Sequence, residues 1–207
     1  MTMENDADRL AAADPTGWFD RLYQEAAAGR AVVPWDAPGP SGGLDSAGLP
    51  PGDGRRALVV GCGLGRDAEF VAGLGYATTA FDISPTAVRD ARARHAGSEV
   101  TYQVADLLSP PAAWSSSFDL VVESNTVQAL PRTLRPAATA AVASFVAPGG
   151  TLVVLAAAVD TPSGQGPPWP LTRDEALAFA TGGVRLITLD RLPADRFDGR
   201  WRGLFTR

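Results

Sequence analysis

Apolar residues recur at two different spacings along the chain. Near the amino terminus Trp18, Phe19, Leu22 and Tyr23 fall on one face at helical spacing, and Thr16–Ala28 is predicted as an amphipathic helix, capped by Asp14 or Thr16 and ended by Gly29. From Arg56 onward the pattern changes to short apolar runs separated by helical stretches. The predicted strands are Ala57–Gly61, Tyr76–Phe81, Val100–Val104, Phe118–Val122 and Thr151–Ala157, with Val184–Arg191 and Arg200–Thr206 closing the chain. The helices between them are Asp67–Leu74, Pro85–His95, Arg132–Val146 and Thr172–Ala180, the last opened by Thr172 and Glu175 at capping-box spacing. Apolar strands alternating with helices make an α/β chain whose mainly parallel sheet is covered on both faces.

Two stretches fall outside this pattern. Residues 1–15 are small and polar and are expected to fray. Pro34–Gly54 is rich in Pro and Gly and reads as a connecting loop, with room for a short helix near Leu44. The chain therefore divides into residues 1–54, an aromatic helix plus loop suited to capping a site, and residues 55–207, the sheet domain. The uncharged run Pro136–Val159 is long enough to span a bilayer. Pro148-Gly149-Gly150 interrupts it, so a helix, a turn and a buried strand are predicted there instead.

Composition adds exclusions. The 207 residues are 45% hydrophobic and 20% charged, enough for a core and unlike a disordered chain. The net charge of −5, with every basic residue an Arg and no basic cluster, argues against a nucleic-acid partner. A single cysteine, Cys62, forms no internal disulfide and suits a reducing compartment, and no signal peptide pattern opens the chain, so a cytoplasmic location is expected. No His/Cys/Asp group has metal-ligand spacing, and no metal is expected. A monomer or homodimer without membrane attachment, acting on a small molecule, fits these limits.

The chemistry concentrates at strand ends. Ala57-Leu58-Val59-Val60 runs into Gly61-Cys62-Gly63-Leu64-Gly65-Arg66-Asp67, with a helix behind it. That is where nucleotide-type ligands bind: glycines allow a sharp turn and close approach, and a helix amino terminus follows. A dinucleotide turn reads G-x-G-x-x-G, whereas here Arg66 occupies the third glycine position. The G-x-G-x-G spacing suits a cofactor without a pyrophosphate, although the glycines alone also suit a generic turn. Asp82 follows Gly61 by 21 residues, close to the about-20 spacing of a carboxylate that holds ribose hydroxyls, and it is equally suited to capping the helix that Pro85 starts. Asp106, after the third strand, can accept from an adenine amino group or stand as a solvated loop residue. Glu123-Ser124-Asn125 places polar atoms at the end of the fourth strand, at the ligand-binding edge of open α/β sheets.

Together these stations resemble the class I methyltransferases, whose ligand is S-adenosylmethionine. The resemblance covers about Arg56 to Arg207. It implies a Rossmann-like doubly wound sheet of seven strands, ending in an antiparallel pair. It implies that Gly61, Cys62, Gly63 and Gly65 shape the methionine side of the pocket. Asp82 with Ile83 would hold the ribose, Asp106 with Leu107 the adenine, and Glu123 would lie on the cofactor side. Gly-Cys-Gly-x-Gly-Arg-Asp, with the aromatic helix and Pro34-Trp35-Asp36, resembles the thiopurine, thiol and halide methyltransferase branch. That branch often has Trp where Phe19 and Tyr23 stand, and usually Asp where Glu123 stands.

On this reading Phe19, Tyr23 and Trp35 cover the cofactor, Trp35 packing on the sulfonium side by cation–π attraction. Trp18, Trp35, Val127 and Trp169 wall a largely apolar acceptor pocket. Trp18 equally suits core packing, and Cys62 reads as a packing residue. Glu123 and Asp36 are the only carboxylates to consider as a general base. Their weakness as candidates favours an acceptor that ionises unaided, a thiol above all. Oxygen and nitrogen acceptors stay open. So do two rivals, a nicotinamide-dependent oxidoreductase, against which Arg66 and the closing strands count, and a non-catalytic binding domain.

Overall fold

Strand β1 (Arg56–Val60) buries four of its five residues, as a strand does between two covered faces. In the computed structural model, which describes residues 14, 16–162, 167–194 and 197–207, it is the centre of a seven-stranded sheet. The elements are α1 (Trp18–Ala27), β1, α2 (Arg66–Gly73), β2 (Ala77–Asp82), α3 (Pro85–Arg94), β3 (Thr101–Val104), β4 (Phe118–Ser124), α4 (Arg135–Ser144), β5 (Val146–Ala157), α5 (Arg173–Leu177), β6 (Arg185–Leu192) and β7 (Arg200–Thr206). The strand order is β3-β2-β1-β4-β5-β7-β6. The first five strands run parallel, and β7 is antiparallel to both β5 and β6. The expected doubly wound sheet with a closing antiparallel pair is thus the fold. The chain turns back between β1 and β4, which opens a crevice at their carboxyl ends.

Alternate side chains of each strand feed two cores. Leu58, Val60, Phe81, Val121 and Val154 pack with Ala138, Val142 and Phe179 on one face. Ala57, Val59, Ala80, Leu120 and Val153 pack with Ala68, Val71 and Val88 on the other, joined by Leu44 from the amino-terminal loop. Leu44 is 1% exposed, although the loop around it makes turns and no helix. The loop is held at a second point, where Ser41 donates from its N and Oγ to the two oxygens of Asp67 at 2.6 and 2.8 Å.

Two boundaries differ from expectation for physical reasons. The segment Pro148-Gly149-Gly150, expected as a break, lies inside the 12-residue β5. A register shift lets Phe118 pair with Val146 and Leu120 with Thr151, so the extra residues bulge, and Gly149 N still donates to Arg207 O at 2.8 Å. The helix after Thr172 keeps its capping box with Glu175 but ends at Leu177, ahead of Gly182 and Gly183, both at positive φ. Among the described residues no helix is long and apolar enough to cross a membrane.

The amino-terminal helix docks on the sheet domain through one carboxylate. Asp20 accepts from Ser84 Oγ at 2.6 Å and from Thr86 N at 3.0 Å, at the amino terminus of α3, where a helix has free N–H groups. Burial raises the Asp20 pKa, but the bonds from Ser84, Thr86 and Gln24 outweigh it and leave the carboxyl below its ordinary value. Ser84 itself caps α3, accepting from Ala87 N at 3.0 Å, which leaves Asp82 for another task.

Candidate functional site

The floor of the crevice is the glycine turn. Gly61, Gly63 and Gly65 have φ of +59°, +52° and +93°, the left-handed region that excludes most side chains. Asp82, at the end of β2, braces this turn. Its Oδ2 accepts from Gly63 N at 2.9 Å and its Oδ1 from Ser84 N at 2.9 Å, so one carboxylate ties the glycine turn to the start of α3. It is 7% exposed, and burial pushes its pKa up against the pull of these backbone bonds. A Cβ on Gly63 would stand 2.7 Å from Tyr23 Oη, and one on Gly61 would overlap Thr126 Oγ1 at 2.1 Å. Thr126 and Tyr23 pack so closely on these glycines that no side chain fits, and the turn meets the cavity as bare backbone, on which a ligand can lie.

Above it stand the aromatic residues of the amino-terminal segment. Trp35 Nε1 donates to Tyr23 Oη at 2.8 Å, with the rings edge to face. Trp18 stacks on Phe19 with centroids 4.1 Å apart and meets Trp35 edge-on. The loop carrying Trp35 is fixed by Asp36, whose oxygens accept from Arg94 Nη1 and Nη2 at 2.7 and 2.9 Å. Floor and roof enclose a cavity of about 1380 Å³. That exceeds the roughly 300–1,000 Å³ of an ordinary small-molecule pocket and leaves room for a cofactor and an acceptor together.

Most residues singled out in the sequence line this cavity: Trp18, Phe19, Tyr23, Trp35, Asp36, Gly61, Cys62, Gly63, Asp82, Ile83, Asp106 and Leu107. Four do not. Gly65 opens α2, facing Tyr102 and His95. Val127 is 1% exposed and packs in the core below, so it is no pocket wall. Trp169 packs with Trp18, and its carbonyl accepts from Arg135 Nη2 at 2.6 Å; Pro167 and Pro168 of the same loop face the cavity in its place. Glu123 is fully buried beneath the turn after β4, where its Oε1 accepts from Thr126 N at 2.8 Å and Val127 N at 2.9 Å. Its Oε2 has no hydrogen-bond partner among the described residues, and burial raises its pKa to about 7. Glu123 is a brace and not a wall.

The structure also brings in residues to which the motifs assigned no site role. Arg66 and Arg200 both reach the cavity, with Ser41 and Gln128, beside the Ser124 and Asn125 expected at the end of the fourth strand. Arg66 stood in the glycine motif, where it served to reject a dinucleotide and to carry the branch resemblance. Arg200 opens β7, 134 residues further on, and no local pattern announces it.

The acid–base inventory is short. Among the described residues five carboxylates line the cavity, and each is engaged: Glu25 with Arg30, Asp36 with Arg94, Asp67 with Ser41, Asp82 with Gly63 and Ser84, and Asp106 with Leu108 N at 2.8 Å. The ion pair with Arg94 holds Asp36 below the usual carboxylate range. Tyr23 is pushed well above 10 by burial and by Asp82, and Cys62 well above its ordinary value by burial and again Asp82, so both keep their protons. Cys62 is a packing residue in this setting and no nucleophile.

Comparison with known proteins agrees with this geometry. The family described as "Methyltransferase domain" matches residues 57–150, from β1 into β5. A ubiquinone biosynthesis O-methyltransferase of Xanthomonas axonopodis pv. citri is 36% identical over 130 residues, 57% of this chain and 53% of that one. The chain thus spans about half the length of such relatives. A probable thiol methyltransferase of Arabidopsis thaliana is 27% identical over 173 residues, 81% of this chain and 73% of its own. Among solved structures, one from work on the conversion of a disulfide bond into a thioacetal group during echinomycin biosynthesis is 26% identical. It superimposes with a TM-score of 0.73 over 93% of this chain and 91% of that one. A TehB-like S-adenosylmethionine-dependent methyltransferase of Corynebacterium glutamicum shares the fold at 22% identity, with a TM-score of 0.63 over 92% and 96% of the two chains. Residues 57–150 thus resemble a methyltransferase domain and lie in a Rossmann-like sheet.

Proposed function

We propose that the protein methylates a small thiol on sulfur, with S-adenosylmethionine as the methyl donor. The observation that carries the acceptor is the acid–base inventory: among the described residues every carboxylate lining the cavity is engaged by a hydrogen bond or ion pair, and the phenol and thiol that face it are held protonated. Such a lining favours a nucleophile that ionises by itself. A thiol with pKa near 8.5 is already a few per cent thiolate at pH 7, and an alcohol is not. The breadth of the likenesses supports the same reading. The ubiquinone-pathway relatives match 57% of the chain, whereas the two relatives whose names or descriptions concern sulfur match 81% and 93%.

When bound, the cofactor supplies a methyl group on a sulfonium, a leaving group that departs as a neutral thioether. The chain's own residues bind and align. Gly61 and Gly63 offer bare backbone under the methionine portion; Asp82 with Ile83 takes the ribose, using the acceptor capacity its two backbone bonds leave open; Asp106 and Leu107 border the adenine. Trp35 and Tyr23 close over the sulfonium with Phe19, and Trp18 backs them. Residues 16–54 act as a cap that excludes water and holds the acceptor in line, and proximity then carries most of the rate. The thiol proton goes to solvent, and Asp36 and Glu123 take no part as bases.

The test is a panel of matched thiols, phenols, alcohols and amines, with methylated product as the readout. Thiols should turn over, with the rate rising with pH and levelling near the acceptor's own pKa. Turnover of phenols or amines with silent thiols would replace the sulfur assignment by the O- or N-methyl alternative. A melting shift with a nicotinamide dinucleotide and none with S-adenosylhomocysteine would reject the cofactor itself.

A further inference from the structure

The cavity has two chemically different sides. The cofactor stations Gly61, Asp82 and Asp106 sit over β1, β2 and β3. Arg200 opens β7, paired in register with Ala157 of β5, three strand spacings or roughly 14 Å from β1. It lines the cavity there and is only partly exposed. Its polar partner among the described residues is an amide: Nη1 donates to Asn125 Oδ1 at 3.3 Å, a bond that aims the guanidinium and leaves its charge unneutralised. Asn125 is itself held at φ +61°, with its Nδ2 donating to Ser124 Oγ at 3.0 Å, so a strained residue at the end of β4 presents the acceptor for Arg200.

The charges around Arg200 do not cancel it. Arg66, alongside, adds repulsion, and burial and Arg66 together lower the Arg200 pKa from its ordinary value. Asp67 attracts it from a distance, but that carboxylate is occupied by the two bonds from Ser41 and lies 3.8 Å from Arg66 Nε. Glu123 also attracts it, from a fully buried place outside the cavity lining and with no hydrogen bond between the two. Holding an ionised guanidinium half-buried without a directly paired counter-ion among the described residues is costly, and a bound carboxylate removes that cost through paired N–H···O bonds.

We propose that Arg200, aimed by Asn125, is a carboxylate subsite for the acceptor, so that the molecule methylated is a small acidic thiol. This rests on the reading of the cavity as a methyltransferase site. It modifies the expectation of a largely apolar acceptor, because the aromatic wall meets only one end of the molecule and the guanidinium meets the other.

The experiment separates the subsite from the reaction. 3-(Methylthio)propionate and its amide are titrated by calorimetry into the complex of the full chain with S-adenosylhomocysteine, for the parent, Arg200→Lys and Arg200→Met. The parent should bind the acid at least tenfold more tightly than the amide. Arg200→Met should erase that preference, Arg200→Lys should keep part of it, and the S-adenosylhomocysteine affinity of all three should agree within twofold, which also certifies their folding. A parent that binds acid and amide alike, or neither, overturns the proposal. So does an Arg200→Met protein that loses S-adenosylhomocysteine affinity in parallel, since Arg200 would then serve the cofactor's own carboxylate. In the companion kinetics 3-mercaptopropionate should outrun its amide in the parent, less so in Arg200→Lys and not in Arg200→Met. Silent thiols with the acid preference intact in calorimetry would remove the sulfur chemistry and keep the subsite.

Discussion

Two buried carboxylates stand at the carboxyl ends of parallel strands, Asp82 on β2 and Glu123 on β4, and each holds a turn by accepting two backbone N–H groups. The difference lies in how the oxygens are used. Asp82 spends one oxygen on each donor and faces the cavity, so it can bind a ligand as well. Glu123 accepts both bonds on Oε1, leaves Oε2 without a partner among the described residues, and sits outside the cavity with a pKa of about 7. On the proposed assignment, equivalent places in the sheet are a ligand-facing brace on the cofactor side and a purely internal one on the acceptor side. The two halves of the cavity should respond differently to the same kind of change.

The sharpest contrast is at the glycine turn that Asp82 braces. Gly63→Val puts a branched side chain where φ is +52° and where even a Cβ lies 2.7 Å from Tyr23 Oη. Calorimetric binding of S-adenosylhomocysteine should vanish, and the backbone strain should lower stability by about 1–3 kcal/mol. A variant that melts as the parent does and still binds would show that the ligand does not lie on this turn, and the distinction between the two sides would fall with it.

Next in size is the effect of the internal brace on stability. The native pKa of Glu123, about 7, stands above the ordinary 4.5, so the native state keeps a proton that the unfolded chain has released. Its contribution is intact below about pH 4.5, is lost as pH rises towards 7, and then levels at a cost on the order of 3 kcal/mol. Glu123→Gln keeps an oxygen for Thr126 N and Val127 N and never ionises. Melting curves should place it near the parent at pH 5 and clearly above it at pH 8. A gap that stays constant with pH would mean that Glu123 is ionised and stabilised in the native protein.

The two sides also differ in how much of them the sequence shows. The cofactor side is made of short local patterns. Strand, glycines and helix follow one another from Ala57 to Leu74, Asp82 ends β2 and Asp106 follows β3 by two residues, so spacing alone marked them as candidates. The sheet itself was legible for the same reason: strands buried on both faces announce themselves as apolar runs. The acceptor side is assembled across the chain. Arg200 meets Asn125 over 75 positions, Ser41 meets Ser124 over 83 and Asp36 meets Arg94 over 58, and no window of sequence holds both partners. Val127 and Trp169 were read as walls because they are apolar and near the right strand ends. Position along the chain could not tell a side chain pointing into the cavity from one pointing into the core below, and both point away.

The smallest expected effect tests whether the roof belongs to one side or joins both. Tyr23 lies over Gly63, on the cofactor side, and its Oη receives the Trp35 indole N–H at 2.8 Å, which ties the acceptor-side loop to the amino-terminal helix. Tyr23 is 3% exposed, so removing the oxygen leaves a buried indole donor unsatisfied unless the loop shifts towards water. Tyr23→Phe should therefore cost about 1 kcal/mol in stability, the scale of one hydrogen bond between neutral groups. Its effect on ligands should be uneven. The ring still covers the glycine turn, so S-adenosylhomocysteine affinity should stay within about threefold, under 1 kcal/mol. Trp35 loses its anchor, so the acceptor KM should rise several-fold while kcat changes less, because the loop that Asp36 and Arg94 still hold can close at some cost in acceptor binding. Equal losses in both affinities would make the roof a single lid acting on cofactor and acceptor together.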